Sequence, residues 1–305
     1  MRRKLVRHGE KTLMVSMPAK WIKSQGLRKG DEVMILPENS SLTISKDAPL
    51  NVVQKIKITI KLESPLHVHA VLSNAYKLGY DEISIDYVGK NQLKLIKQEV
   101  ERMIGFEIVN LTVDSCKIKS VIKSTIEEYD NIKKRSWFTI KSAFDTMLTD
   151  MKRRKLENYS IVLELYDNNL KFTDFCRRLI NKHMFLDVKS SCLEYSVLLK
   201  LVYTLPLMRE AYLYCKEKKV RPGKDFISFV QNCKEYFNLC YDAYYKKDPL
   251  LASKVISRYD VLDVQGNKIL KKYGVPVSKF LEVLRLCRGF GGHIIAQHYI
   301  SVFKE

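Results

Sequence analysis

The chain has 305 residues, of which 46% are apolar and 29% charged, so it is too apolar to be disordered and long enough for about two or three ordinary domains. Lysine and arginine outnumber aspartate and glutamate by 53 to 34, a formal net charge of +19. Such a balance excludes an acidic, cation-seeking surface and favours polyanionic partners, nucleic acid ahead of an acidic membrane face.

Residues 1–48 read as a small unit of their own. The run Leu13-Met14-Val15-Ser16-Met17 is apolar and β-rich, and Pro18 opens a short helix through Trp21 and Ile22 because a first helical turn has no use for the missing N–H. Gly26 stops that helix. Gly30-Asp31 turns into Glu32-Val33-Met34-Ile35-Leu36, and a second turn at Glu38-Asn39-Ser40-Ser41 leads to Leu42-Thr43-Ile44. The predicted order is strand, strand, short helix, strand, strand. Residues 1–46 carry ten lysines and arginines against four acids, the densest basic surplus in the chain. A unit of this size buries too little to stand alone, and pairing with a second copy is the usual remedy.

The order Gly9, apolar strand, Met17-Pro18, Trp21-Ile22, Gly26-Leu27-Arg28-Lys29-Gly30-Asp31-Glu32-Val33 and Leu42-Thr43-Ile44 resembles the SpoVT/AbrB swapped-hairpin DNA-binding domain. The resemblance implies a dimer in which two hairpin pairs interlock into one small β-barrel, with a basic face laid on double-stranded DNA. It implies DNA contacts at Arg7, before the first apolar run, and at Lys23 on the short helix; Ile22 departs from the family pattern, and Met14 stands where bacterial members have arginine. Arg2, Arg3, Lys4, Lys11 and Lys20 are further phosphate-contact candidates. Trp21 is expected in the core beside Ile22.

Residues 52–121 change to alternating strands and helices. Ile56 to Leu62 has period two, Pro65 opens a helix to Leu78 closed by Gly79, and Ile83 to Tyr87 alternates again. An amphipathic helix follows from Gln92 to Ile104, with Leu95, Ile96, Val100 and Met103 inward and Gly105 as its stop. Glu107 to Val113 and Lys117 to Val121 form a hairpin, which completes a small βαβαββ domain read as a spacer or a support for dimerisation.

From residue 124 to 305 the pattern is helical, with breaks near Lys155 to Glu157, Phe185 to Ser190, Lys219 to Gly223, Lys247 to Pro249 and Tyr273 to Pro276. An offset of 93 residues superposes Phe144 on Phe237, Val162 on Val255, Tyr166-Asp167 on Tyr259-Asp260 and Arg178 on Lys271. One three-helix bundle is therefore duplicated, over about 124–218 and 222–305. Two such bundles in tandem resemble the PhoU fold, and with the first domain the whole chain resembles an archaeal-type PhoU-family regulator of multi-domain α+β class.

Many PhoU proteins hold metal ions on facing acidic clusters, and here those positions are depleted: Leu170 stands in place of an acid, and Leu201 to Leu207 and Cys287 to Gly292 carry none. Asp260 and Asp263 are the least unsuited ligands, and without acids facing them they make no site. Gly289, Gly291 and Gly292 mark a close helix crossing rather than an anion nest. Neither His67/His69 nor His293/His298 has zinc spacing, and seven cysteines without a CxxC pair read as core residues in a reducing compartment. No cofactor and no metal is expected.

No segment reads as apolar over a membrane-spanning length, and Met1-Arg2-Arg3-Lys4 lacks a signal peptide's apolar core, so a cytoplasmic location is expected. With no nucleophile–base pair, carboxylate dyad or phosphate loop, the chain does not read as an enzyme. The expected function is transcriptional regulation of phosphate uptake through DNA binding. The alternative is an adaptor that docks on a phosphate transporter or a signalling kinase.

Overall fold

The structure, a computed structural model, describes residues 2–38, 41–46, 53–122, 125–182 and 188–302. The turn expected at Asn39 and Ser40, and part of the break expected at Phe185 to Ser190, lie outside the described residues. The fold is multi-domain α+β, with small sheets towards the N-terminus and helices beyond, and it divides into two compact units, Met1–Val52 and Val53–Glu305.

In the first unit β1 (Val6–His8) pairs antiparallel with β2 (Thr12–Met14), α1 spans Ala19–Gln25, and β3 (Met34–Glu38) pairs antiparallel with β4 (Ser41–Ser45). The two pairs are separate two-stranded sheets. Gly26 ends α1 at φ +63°, a left-handed conformation suited to glycine, and the Leu27 N–H then reaches back to the Ile22 carbonyl at 3.1 Å.

The second unit opens with β5 (Lys55–Ile60), α2 (Pro65–Lys77), β6 (Glu82–Tyr87), α3 (Lys90–Val100), β7 (Phe106–Leu111) and β8 (Ser115–Ser120), in one sheet of order β5-β6-β8-β7. The β5/β6 pair is parallel and so needs a crossover, which α2 supplies. Ile83, Ile85 and Ile118 are fully buried on one side of the sheet. Next to these isoleucines along the strands, Glu82 precedes Ile83 on β6 while Lys117 and Lys119 flank Ile118 on β8. Lys117, Lys55 and Lys119 ring the Glu82 carboxylate at 2.9, 3.4 and 3.5 Å, and Lys117, with Lys55 behind it, holds its pKa down at about 2.

Six long helices follow: α4 (Ile126–Arg153), α5 (Tyr159–Asn181), α6 (Val188–Glu217), α7 (Lys224–Lys246), α8 (Pro249–Tyr273) and α9 (Val275–Val302). They pack as two groups of three, α4 to α6 and α7 to α9, joined along α6/α9 and α4/α7. The 93-residue offset recurs in the backbone. Arg154 and Lys247, that distance apart, end α4 and α7 in the same left-handed conformation, at φ 56° and 51°. The hydrogen bonds closing those turns, Lys155 N to Asp150 O and Asp248 N to Ala243 O, are equivalent too. Trp137 is fully buried where the groups meet, with ring centroids 4.8 Å from Phe290 and 5.0 Å from Phe237.

The sequence reading separates residues 52–121 from the helices, whereas the structure places both in one compact unit. The cause is a clamp from the last turns of α5. Arg178, 3% exposed, donates to the carbonyls of Tyr76 and Tyr80 at 3.0 and 2.7 Å and to Asp81 at 2.5 Å, with its guanidinium 4.7 Å from the Phe106 ring centre. Lys182 completes it, 2.6 and 2.7 Å from the two Asp81 oxygens.

One expectation is corrected. By length and composition alone α6 is apolar enough to cross a membrane. In the structure its Val197, Leu198, Leu201, Leu205 and Met208 are fully buried, and the helix packs against α4, α5 and α9. Its Glu194 is buried as well. That carboxylate accepts from Tyr129 Oη at 2.7 Å, Tyr244 Oη at 2.6 Å, Lys133 Nζ at 3.0 Å and Gln297 Nε2 at 2.8 Å.

Burial alone would push the Glu194 pKa up, but the Lys133 charge and the tyrosine hydroxyls outweigh it and hold it below the usual carboxylate value. A group with a depressed folded pKa contributes stability above the unfolded pKa and loses it as pH falls through the folded one. Glu194→Gln is therefore expected to cost about 3 kcal/mol near neutral pH in urea unfolding. The gap from the parent should close as pH drops below the carboxylate range, and a pH-independent gap would contradict the charged cluster.

Candidate nucleic-acid interface

The first unit places every sequence-predicted contact at the surface. Arg2, Arg3 and Lys4 lie in the extended segment before β1, Arg7 on β1, Lys11 in the turn to β2, and Lys20 and Lys23 on α1; all are exposed. Arg7 Nε donates to the Gly9 carbonyl at 3.2 Å and Nη2 to the Glu10 carbonyl at 3.4 Å. The guanidinium is thus folded over its own turn with N–H groups left over for a phosphate.

Lys20 and Lys23, three residues apart, share a helix face. The structure brings Arg7 and Lys11 together on one hairpin and the two lysines together on α1. Among the described residues no hydrogen bond or ion pair ties the hairpin set to the helix set. Nor does any ion pair neutralise these cations with Glu10, Asp31 or Glu32. Asp31 is occupied otherwise, accepting from the Arg28 N–H at 2.8 Å.

Lys46 donates to the Gln25 carbonyl at 3.2 Å, at the negative end of α1. In the sequence Lys46 reads as charge alone, because only folding brings residues 25 and 46 together. Arg28 and Lys29, exposed just after α1, extend the basic surface beyond the predicted set.

The apolar side chains give the more decisive signal. Among the described residues of this unit only Leu27 is buried, at 9% exposure. Leu13 on β2 is 61% exposed and Leu42 on β4 is 64% exposed, and Leu5, Val6, Met14, Val15 and Ile35 are exposed with them. Trp21 and Ile22, expected in the core, are half-buried. A lone two-stranded hairpin is marginal in water, and this unit holds two with no common core. Covering these strands requires further protein surface.

The weak metal candidates are not brought to partners that would make a site. Asp260 is exposed, while Asp263 accepts from Tyr259 Oη at 3.1 Å and Asn267 Nδ2 at 2.9 Å. No group of three or more metal-ligating side chains occurs among the described residues. Two of the three glycines of α9 lie at helix crossings: a Cβ on Gly291 would meet the Ala252 carbonyl of α8 at 3.0 Å, and one on Gly289 would meet Lys200 of α6 at 2.5 Å; Gly292, expected with them, is exposed and a Cβ there would meet nothing within 4 Å.

Comparison with protein-family models, with curated proteins and with solved structures finds no match to this chain.

Backbone protection in the first unit should depend on chain concentration if a second copy covers it. Amide hydrogen exchange of β1 to β4 is expected to speed up on dilution while β6 and α4 stay protected. Equal protection at every concentration would show that the unit is closed by itself.

Proposed function

We propose that the chain is a DNA-binding transcriptional regulator that acts as a homodimer through its first unit. The supporting observation is the pairing, in one small unit, of exposed apolar strands with exposed cations that make no ion pair among the described residues. The apolar strands call for a second copy, and the cations call for a polyanion. In the SpoVT/AbrB-like arrangement two such units interlock, and the dimer presents Arg2, Arg3, Lys4, Arg7, Lys11, Lys20 and Lys23 twice, matched to two half-sites on duplex DNA.

The helical half then carries the regulatory input. Its two three-helix groups, related by the 93-residue offset, are the feature shared with PhoU-like proteins, and that likeness supports phosphate uptake as the regulated process.

Each phosphate contact releases condensed counterions, so affinity for duplex DNA falls with salt at a log-log slope of about −0.9 per contact. In fluorescence anisotropy with the intact protein, Arg7→Ala combined with Lys23→Ala removes four contacts per dimer. The slope is expected to become shallower by about 3 to 4 units. A double variant that binds as tightly as the parent, with the same slope, would refute the assignment.

A further inference from the structure

A cleft of about 570 Å³ opens in the second unit between α2, α3 and α5, within the size range of small-molecule sites. Its lining includes Glu99, a buried acid that no feature of the sequence singles out. One Glu99 oxygen lies 2.8 Å from His69 Nδ1 and the other 3.2 Å from Arg102 Nη1. An ionised carboxylate only accepts, so Nδ1 carries the proton and Nε2 is the ring nitrogen left for a ligand. The hydrogen bond to Glu99 raises the His69 pKa, which favours the charged ring.

From α5 come Asp167 and, one turn on, Lys171. Arg102 Nη2 stands 3.5 Å from Asp167 Oδ1, a loose contact, and Lys171 makes no ion pair among the described residues. Leu66, 80% exposed, joins Leu95 and Leu170 as apolar wall.

The chemistry of the lining selects the ligand. A wholly apolar occupant would strip water from Arg102 and Lys171 and give nothing back. A polyanion gains little, because the three basic groups His69, Arg102 and Lys171 face three acids, Glu99, Glu101 and Asp167. A molecule with both charges and an apolar body satisfies all three kinds of wall.

We propose that this cleft binds a small zwitterion of the free amino-acid class. Its carboxylate is taken by Arg102 and Lys171, its ammonium by Asp167 or Glu101, and its side chain rests on Leu66, Leu95 and Leu170. Bound there, the ligand bridges α3 to α5 and joins the sheet layer to the helices at a second place besides the Arg178 clamp. The proposal stands apart from DNA binding and does not depend on it.

Saturation-transfer NMR and calorimetry on the intact protein test it with leucine, methionine, phenylalanine and tyrosine as probes, and with acetate, methylamine and inorganic phosphate as controls. At least one amino acid is expected to bind saturably and more tightly than any control. Arg102→Gln and Lys171→Ala should each weaken it about tenfold or more. Leu66→Asp, at a side chain outside the core, serves as a third variant should Arg102→Gln fail to fold, and is expected to weaken the apolar amino acids most. Absence of amino-acid binding, binding unchanged in Lys171→Ala and Leu66→Asp, or phosphate binding as tightly as any amino acid would overturn the assignment.

Discussion

Four short strands and one two-turn helix cannot cover their own apolar side chains, and the functional reading follows from that constraint. Two strands joined by a turn leave one ladder edge each and two open faces, so Leu13, Ile35 and Leu42 are in water unless further protein covers them. The same shortness keeps the cations outside. Arg7, Lys11, Lys20 and Lys23 have no interior to retreat into and make no ion pair among the described residues, so their charge faces outwards.

The second unit shows the opposite economy of charge. Glu82 is ringed by Lys55, Lys117 and Lys119, Asp81 is gripped by Arg178 and Lys182, and Glu194 collects Lys133, two tyrosines and Gln297. Charges there serve cohesion, because a buried ion stripped of its partner costs several kcal/mol. Acids of the second unit are thus drawn into internal clusters, whereas the cations of the first unit lie at the surface and make no ion pair among the described residues. In the cleft around Glu99 the charges are incompletely matched: Lys171 makes no ion pair among the described residues and Asp167 is only loosely held.

Much of the element order was legible because the chain is well punctuated. Pro18, Gly26, Pro65, Gly79 and Pro249 fall at the ends of elements, where a missing N–H or a left-handed φ decides the outcome locally, whereas the helix expected to run to Ile104 with Gly105 as its stop ends at Val100. The repeat was legible through spacing, and Arg154 and Lys247 carry it into the backbone. What escaped the sequence is tertiary. Arg178 and its counterpart Lys271 look alike as basic helical residues, yet one is 3% exposed and the other is at the surface, because only the first meets the α2–β6 turn. His69, Glu99 and Lys171 converge from three helices far apart in the chain, and no periodicity reports that. The apolar length of α6 is masked in the sequence by Glu194 and Lys200, which interrupt its hydropathy although both find partners in the bundle.

The proposed homodimer makes the opening unit half of a structure that a second chain completes. Sedimentation equilibrium of the intact protein tests it most directly, alongside a variant with Leu13→Asp and Ile35→Asp that places charge on the exposed strands. The parent is predicted to sediment at twice the mass of one chain and the variant to shift towards the single chain. A parent that sediments as one chain at every concentration, or a variant that associates as strongly as the parent, would contradict it.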